Sequence, residues 1–115
     1  MAVLMVIDRP PYGDWRGREA LDMAFSLAAF DQPVALLFAG AGVNWLRPGQ
    51  DGSALAQKTL GKQLQAAAIF GIEEILVERE ALSRYHLSQG ELLPAAEPVD
   101  LNAHLLARFG QVVQL

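Results

Sequence analysis

Side chains that could perform nucleophilic or metal chemistry are few in this chain and stand far apart. The two histidines, His86 and His104, fall on different predicted elements, whereas a zinc site needs three or four converging ligands. A serine triad would need a context such as G-x-S-x-G, which none of the serines has: Ser26, Ser53, Ser83 and Ser88. The sequence therefore predicts no metal site and no catalytic triad.

Sulfur chemistry by this chain itself is excluded by its composition. The 115 residues contain no cysteine. Disulfides, thiolate metal sites and thiol catalysis are therefore excluded, because only a thiolate attacks or carries sulfur in such reactions.

Glycine-rich phosphate-binding motifs are also missing. Neither G-x-x-x-x-G-K-[ST] nor G-x-G-x-x-G occurs. Either motif indicates nucleotide binding only when its whole pattern is present. Gly40 and Gly42 form a bare G-x-G after an apolar run, which favours a tight turn. Gly13 and Gly17 are interpreted as backbone-geometry residues, although Arg16 and Arg18 leave anion binding open at this helix start. We expect no cofactor.

Composition narrows the remaining function classes. The formal net charge is −4, with two lysines and seven scattered arginines, whereas nucleic-acid binding needs clustered cations. We therefore expect no direct nucleic-acid binding.

Apolar residues make up 52% of the chain and charged residues 19%. Compared with ordinary globular domains, the chain has more apolar and fewer charged residues. No apolar run reaches the length of about 18 residues that a membrane helix needs, and the start lacks a signal-peptide pattern. We expect a single cytoplasmic domain, 1–115, that offers a large apolar surface to a partner.

Apolar runs and turn residues predict alternating strands and helices. Strands are expected at 2–7, 34–39, about 75–77 and 111–115, with a weaker one at 92–95, where Pro94 argues against it. Helices are expected at 17–30, 54–70, 81–85 and 101–108, with Ser53 and Asp100 as N-caps and Gly71 as a C-cap. This order predicts a three-layer α/β/α domain with a mainly parallel sheet of about five strands.

The first predicted helix is apolar on two sides. One side carries Leu21, Ala24, Phe25 and Ala28, and another carries Ala20, Met23, Leu27 and Phe30. A surface helix needs one apolar stripe. The pattern therefore indicates packing on the sheet and against something further.

Two tryptophans, Trp15 and Trp45, stand in loops at the predicted carboxyl end of the sheet. They either cover the local core or contact a partner, since aromatic side chains are enriched at interfaces. With the two-sided helix, we predict a subunit interface that includes Tyr12, Trp15, Phe25, Val43, Trp45, Leu46 and Gln50.

Two segments in order along the chain resemble the DsrE/DsrF/DsrH family, closest to its TusC/DsrF-type subunits. The first, "PPYGDWRGREALD", resembles the family's proline–glycine loop and helix start through Pro11, Gly13, Gly17, Arg18, Glu19, Ala20, Leu21 and Asp22. The second resembles its glycine–valine and proline–glycine–glutamine segments through Gly42, Val43, Leu46, Pro48, Gly49 and Gln50.

The resemblance implies a DsrE/F-like fold and a place in a sulfur relay. In complexes of the TusBCD type a persulfide passes between cysteines toward the 2-thio group of a tRNA wobble uridine. The resemblance implies TusB-like and TusD-like sister subunits in a heterohexamer with two of each, the relay cysteine lying on the TusD-like subunit. This chain would then be a non-catalytic subunit.

Two alternatives stay open. One is a DsrF-like subunit of a DsrEFH complex in sulfur oxidation. The other is a cysteine-free, flavodoxin-like domain that binds a small molecule, although no converging polar groups indicate such a site.

Overall fold

A five-stranded parallel sheet forms the centre of the protein. The computed structural model describes residues 2–10, 16–46, 71–88 and 96–114. The strand order is β4-β3-β2-β1-β5, and every neighbouring pair is parallel. The strands are β1 (Val3–Ile7), β2 (Val34–Phe38), β3 (Ile72–Glu78), β4 (Glu97–Val99) and β5 (Gln111–Gln114). The predicted α/β class with a parallel sheet of about five strands is confirmed.

Three helices and a 3-10 segment accompany the described strands. They are α1 (Arg16–Ala29), α2 (Arg79–Arg84), α3 (Ala103–Leu106) and the 3-10 segment Gly40–Leu46. Among the described residues, no helix has the length and apolar character needed to cross a membrane.

The two central strands are apolar along their whole length because both faces of the sheet are buried. All five residues of β1 and all five of β2 are buried. Met5 and Ile7 point into the cluster that includes α1, whereas Leu4 and Val6 belong to the cluster on the other face. A continuous apolar run, rather than alternation, is the expected pattern for such strands.

The first helix packs on the sheet through small and aliphatic side chains. Ala20, Leu21, Ala24 and Ala28 are buried in the larger core cluster, and three alanines let the helix lie close to β1 and β2. An ion pair one turn apart joins Arg18 Nε to Asp22 Oδ1 at 3.2 Å on the outer surface. Such exposed pairs add only a few tenths of a kcal/mol, so apolar burial fixes the helix.

The opposite face is covered in part by α3, which differs from its prediction. The predicted cap, Asp100, is held by Arg79 at 2.9 Å. The observed N-cap is Asn102, whose Oδ1 accepts from the Leu105 backbone N–H at 2.9 Å. The helix consequently starts two residues later than predicted and spans Ala103–Leu106, with Leu105 and Phe109 in the second cluster.

Other predicted bounds have mixed outcomes. The described fourth strand is Glu97–Val99, and 92–95 lies outside the described residues. The helix predicted at 81–85 begins earlier, at Arg79. The predicted helix at 54–70 and its cap Ser53 also lie outside the described residues, whereas Gly71 has the positive φ of 91° expected of a helix C-cap.

The G-x-G at Gly40 and Gly42 is a turn made for close packing. Gly40 has a φ of 51°, in the left-handed region that favours glycine. A Cβ added to Gly42 would lie 1.8 Å from the Ile7 carbonyl oxygen. The second glycine is therefore required by the contact between the 3-10 segment and the end of β1.

Replacing each glycine by alanine in turn separates the need for a left-handed backbone at Gly40 from the need for close approach at Gly42. Gly42→Ala should lower the free energy of unfolding by roughly 3 kcal/mol, the upper part of the range for overpacked sites, because backbone must move. Gly40→Ala meets nothing within 4 Å and should cost about 1 kcal/mol for the left-handed backbone alone. Urea unfolding followed by circular dichroism measures both. Equal losses would contradict the close-approach explanation.

Candidate subunit interface

The 3-10 segment Gly40–Leu46 lies over the carboxyl ends of the strands, where parallel α/β sheets commonly place their functional residues. Glu78, the last residue of β3, accepts a hydrogen bond through Oε1 from the Gly40 backbone N–H at 3.0 Å. Trp45 donates its indole N–H to the Arg9 carbonyl, just beyond β1, at 2.8 Å. The segment is therefore tied to two strands by polar contacts as well as by packing.

Three of the predicted interface residues are buried by the chain itself. Val43 and Leu46 are 0% exposed and Trp45 is 3% exposed, and all three belong to the larger core cluster. The contacts are those of a local cap over the core, the alternative that the sequence left open. A role in subunit contact stays a prediction for them, and their side chains have almost no surface left for a partner.

The remaining predicted interface residues have different outcomes. Phe25 is half-buried and packs against the core cluster from α1. Tyr12, Trp15 and Gln50 lie outside the described residues.

The exposed apolar surface of α1 is a stripe on one flank of its buried face. Met23 is 40% exposed and Phe30, just past the helix end, is 85% exposed. Leu27 lies between them and is half-buried. Spacings of four and three residues place these side chains on one side of a helix. We call Met23, Leu27 and Phe30 the α1 stripe.

The two-sided apolar pattern of the helix already indicated this surface. Of the four residues assigned to its second side, Ala20 is buried in the core, and the other three form the α1 stripe. The sequence pattern predicts that this helix packs against something further, but Phe25 is its only residue among the predicted interface residues.

The polar groups at the carboxyl edge mostly bond to one another. Asp8 accepts a hydrogen bond from the Gln114 side-chain amide and lies 4.0 Å from Arg9 Nε. His86 and His104 are both exposed, on different elements. Across the described ranges, no three His, Cys, Asp or Glu side chains group as metal ligands would. In the described part of this edge, the carboxylates of Asp8 and Glu78 both accept structural hydrogen bonds.

Comparison with a family model decides the family. The model of the DsrE/DsrF-like family matches residues 1–110. The chain belongs to the DsrE/DsrF-like family. The resemblance inferred from the proline–glycine loop and the glycine–valine segment is thus confirmed.

Relatives within this family carry the names of sulfur proteins. The chain is 37% identical to a "Protein TusC homolog" of Pseudomonas aeruginosa, over 99% of this chain and 98% of that protein. It is 33% identical to the "Intracellular sulfur oxidation protein DsrF" of Allochromatium vinosum, over 76% of this chain and 65% of that protein.

A solved structure shows the same fold at low sequence identity. The crystal structure of the YchN protein from E. coli superposes with a TM-score of 0.77, covering 99% of this chain and 98% of that one. The sequences are 16% identical, so this likeness supports the fold and nothing further.

Trp45 provides a test of the local-cap interpretation. Trp45→Asp should destabilise the isolated chain by several kcal/mol, because a carboxylate would be buried without a partner. Trp45→Phe keeps an aromatic ring in the core but leaves the Arg9 carbonyl without its donor, and should cost about 1 kcal/mol for that bond. Thermal unfolding followed by circular dichroism measures both. Wild-type stability of the Asp variant would contradict the burial described here.

Proposed function

We propose that this chain is a non-catalytic subunit of a TusBCD-type sulfur relay complex. It supports persulfide transfer toward the 2-thio group of a tRNA wobble uridine. Its partners in this proposal are TusB-like and TusD-like sister subunits, in a heterohexamer with two copies of each in the cytoplasm. The observation that carries the proposal is full-length similarity to a TusC homolog in a chain without cysteine.

The absence of cysteine assigns the chemistry to other subunits. In persulfide transfer, a thiolate attacks the outer sulfur of a persulfide, and the donor cysteine leaves as a thiolate. Both reacting groups are cysteines, so a chain without cysteine can neither accept nor donate sulfur by this route. Its contribution to a relay must come from binding and positioning the subunits that do.

The α1 stripe is the described surface that best suits subunit contact. Phe30 and Met23 are among the most exposed large apolar side chains of the described residues. Interfaces of permanent complexes are apolar at their centres. A sister subunit that covers Phe30 would remove from water the most exposed large apolar side chain of the described residues.

A DsrF-like role in sulfur oxidation is the second candidate. The 33% identity to DsrF of Allochromatium vinosum supports it, over a smaller share of the chain than the TusC homolog. The two functions differ in the final acceptor of sulfur. Loss of wobble 2-thiouridine on deleting this chain, without loss of sulfur oxidation, would select the first.

A labelling experiment tests whether this chain can carry sulfur. The purified chain, incubated with a persulfide donor carrying radioactive sulfur, should acquire no label that a reductant removes. A sister subunit with a relay cysteine, treated in the same way, serves as the positive control. Stoichiometric, reductant-labile label on this chain would contradict the proposal.

Substitution in the α1 stripe tests the assembly surface. Phe30→Asp should weaken association with the sister subunits at least tenfold, because about 1.4 kcal/mol suffices for that factor and a buried unpaired carboxylate costs more. Ala29→Asp is the matched control, since Ala29 is exposed on the same helix but outside the stripe. Native mass spectrometry of the co-expressed complex measures assembly. If both variants assemble like the wild type, the α1 stripe is not an interface.

A further inference from the structure

The two edges of the sheet differ in how well they are protected against pairing with another strand. At one edge, β4 has three residues and contains Glu97 and Pro98. Arg79 donates to the Pro98 carbonyl at 3.3 Å and forms an ion pair with Asp100 at 2.9 Å. Short length, charge, proline and an occupied carbonyl are the features that prevent an edge strand from pairing.

The other edge, β5, is also short, with four residues, but it lacks the charge, the proline and the occupied carbonyl. It pairs with β1 from Val3↔Gln111 to Val6↔Gln114, and no described strand lies on its outer side. Residues 109–115 contain no charged residue and no proline. Val112 is 42% exposed. An edge strand of this kind presents unpaired N–H and C=O groups together with apolar side chains.

We propose that β5 pairs in the antiparallel direction with β5 of a second copy of this chain. A two-fold axis perpendicular to the sheet reverses the strand direction and brings the same surface together on both sides. The two five-stranded sheets then become one continuous sheet. The outer N–H and C=O groups of each strand bond to those of the other, and Val112 gains apolar neighbours across the pair.

Charge favours a second copy as the occupant of this edge. The chain as a whole carries a formal net charge of −4, so two copies repel each other on average. Residues 109–114 have no charged side chain, so self-pairing of β5 places no like-charged side chains directly opposite one another. A charged partner strand, by contrast, would set its charges against neutral Gln and Val side chains with no counter-charge in β5.

The small size of the strand determines the strength of this contact. Four residues, Gln111–Gln114, form β5, and such a pairing buries much less than the 1,200–2,000 Å² or so of a stable interface. We therefore expect a weak, concentration-dependent dimer of the isolated chain. This inference rests on the sheet edge and does not depend on the proposed sulfur relay.

Hydrogen–deuterium exchange at several protein concentrations, with sedimentation of the same samples, tests the proposal. From low micromolar to near-millimolar chain, the average mass should rise and deuterium uptake over 110–114 should fall. Uptake over 97–99, in the protected edge, should not change. A chain that stays monomeric, or that dimerises with unchanged uptake over 110–114, overturns the proposal.

A pair of lysine variants gives a second test. Val112→Lys should weaken the dimer at least about tenfold, because it places a like charge on each of the two short paired strands, where such charges lie close together and are destabilising. Ala107→Lys adds the same charge at an exposed position outside β5 and should leave dimerisation unchanged. An unchanged dimer for folded Val112→Lys overturns the proposal, and if this variant fails to fold, exchange in the wild type decides alone. A monomeric chain that still assembles with sister subunits overturns only this inference.

Discussion

The contact between the 3-10 segment Gly40–Leu46 and the end of β1 organises the carboxyl edge of the sheet. It is possible only because Gly42 has no side chain to meet the Ile7 carbonyl. The approach allows Val43, Trp45 and Leu46 to enter the core and brings the Trp45 indole N–H to the Arg9 carbonyl. Glu78 then fixes the start of the segment to β3. Residues that a sequence places in a loop thus become part of the core.

This arrangement has a consequence for function. The edge of an α/β sheet that often holds reactive groups is here occupied, in its described part, by apolar side chains and by polar groups in structural contacts, such as Asp8 with Gln114 and Glu78 with Gly40. Exposed apolar side chains lie instead on the flank of α1, at Met23, Leu27 and Phe30, and in the proposed function this is the surface that meets a partner. This arrangement is consistent with the proposed role of a subunit without cysteine, which would contribute contacts and leave sulfur transfer to other chains.

The fold was predictable because its signals are local and strong. The runs at 2–7 and 34–39 are apolar without alternation, and this pattern, at this length, is typical of strands buried on both faces. The helix at 17–30 was predicted to within one residue at each end, since its periodicity and small residues agree with its packing. The bounds near the carboxyl end were less predictable, because the bond from Arg79 to Asp100 joins residues distant in sequence and moves the helix cap to Asn102.

The candidate interface was harder to predict than the fold. Aromatic residues in loops indicate either a local cap or a partner contact, and sequence alone does not distinguish burial by the chain's own core from burial by another chain. Trp45 is buried through a contact with Arg9, 36 positions earlier, which no local pattern shows. The α1 stripe was visible as a second apolar side of the helix, but only the packed structure shows that Ala20 faces inward while Phe30 faces outward.

Reconstituted sulfur transfer, with and without this chain, tests the central claim most directly. Sister subunits purified separately would receive labelled persulfide sulfur and pass it to the next acceptor, and the rate and the site of labelling would be measured. The account predicts that transfer needs this chain and that all label resides on cysteines of the other subunits. Transfer at an undiminished rate without this chain would contradict it.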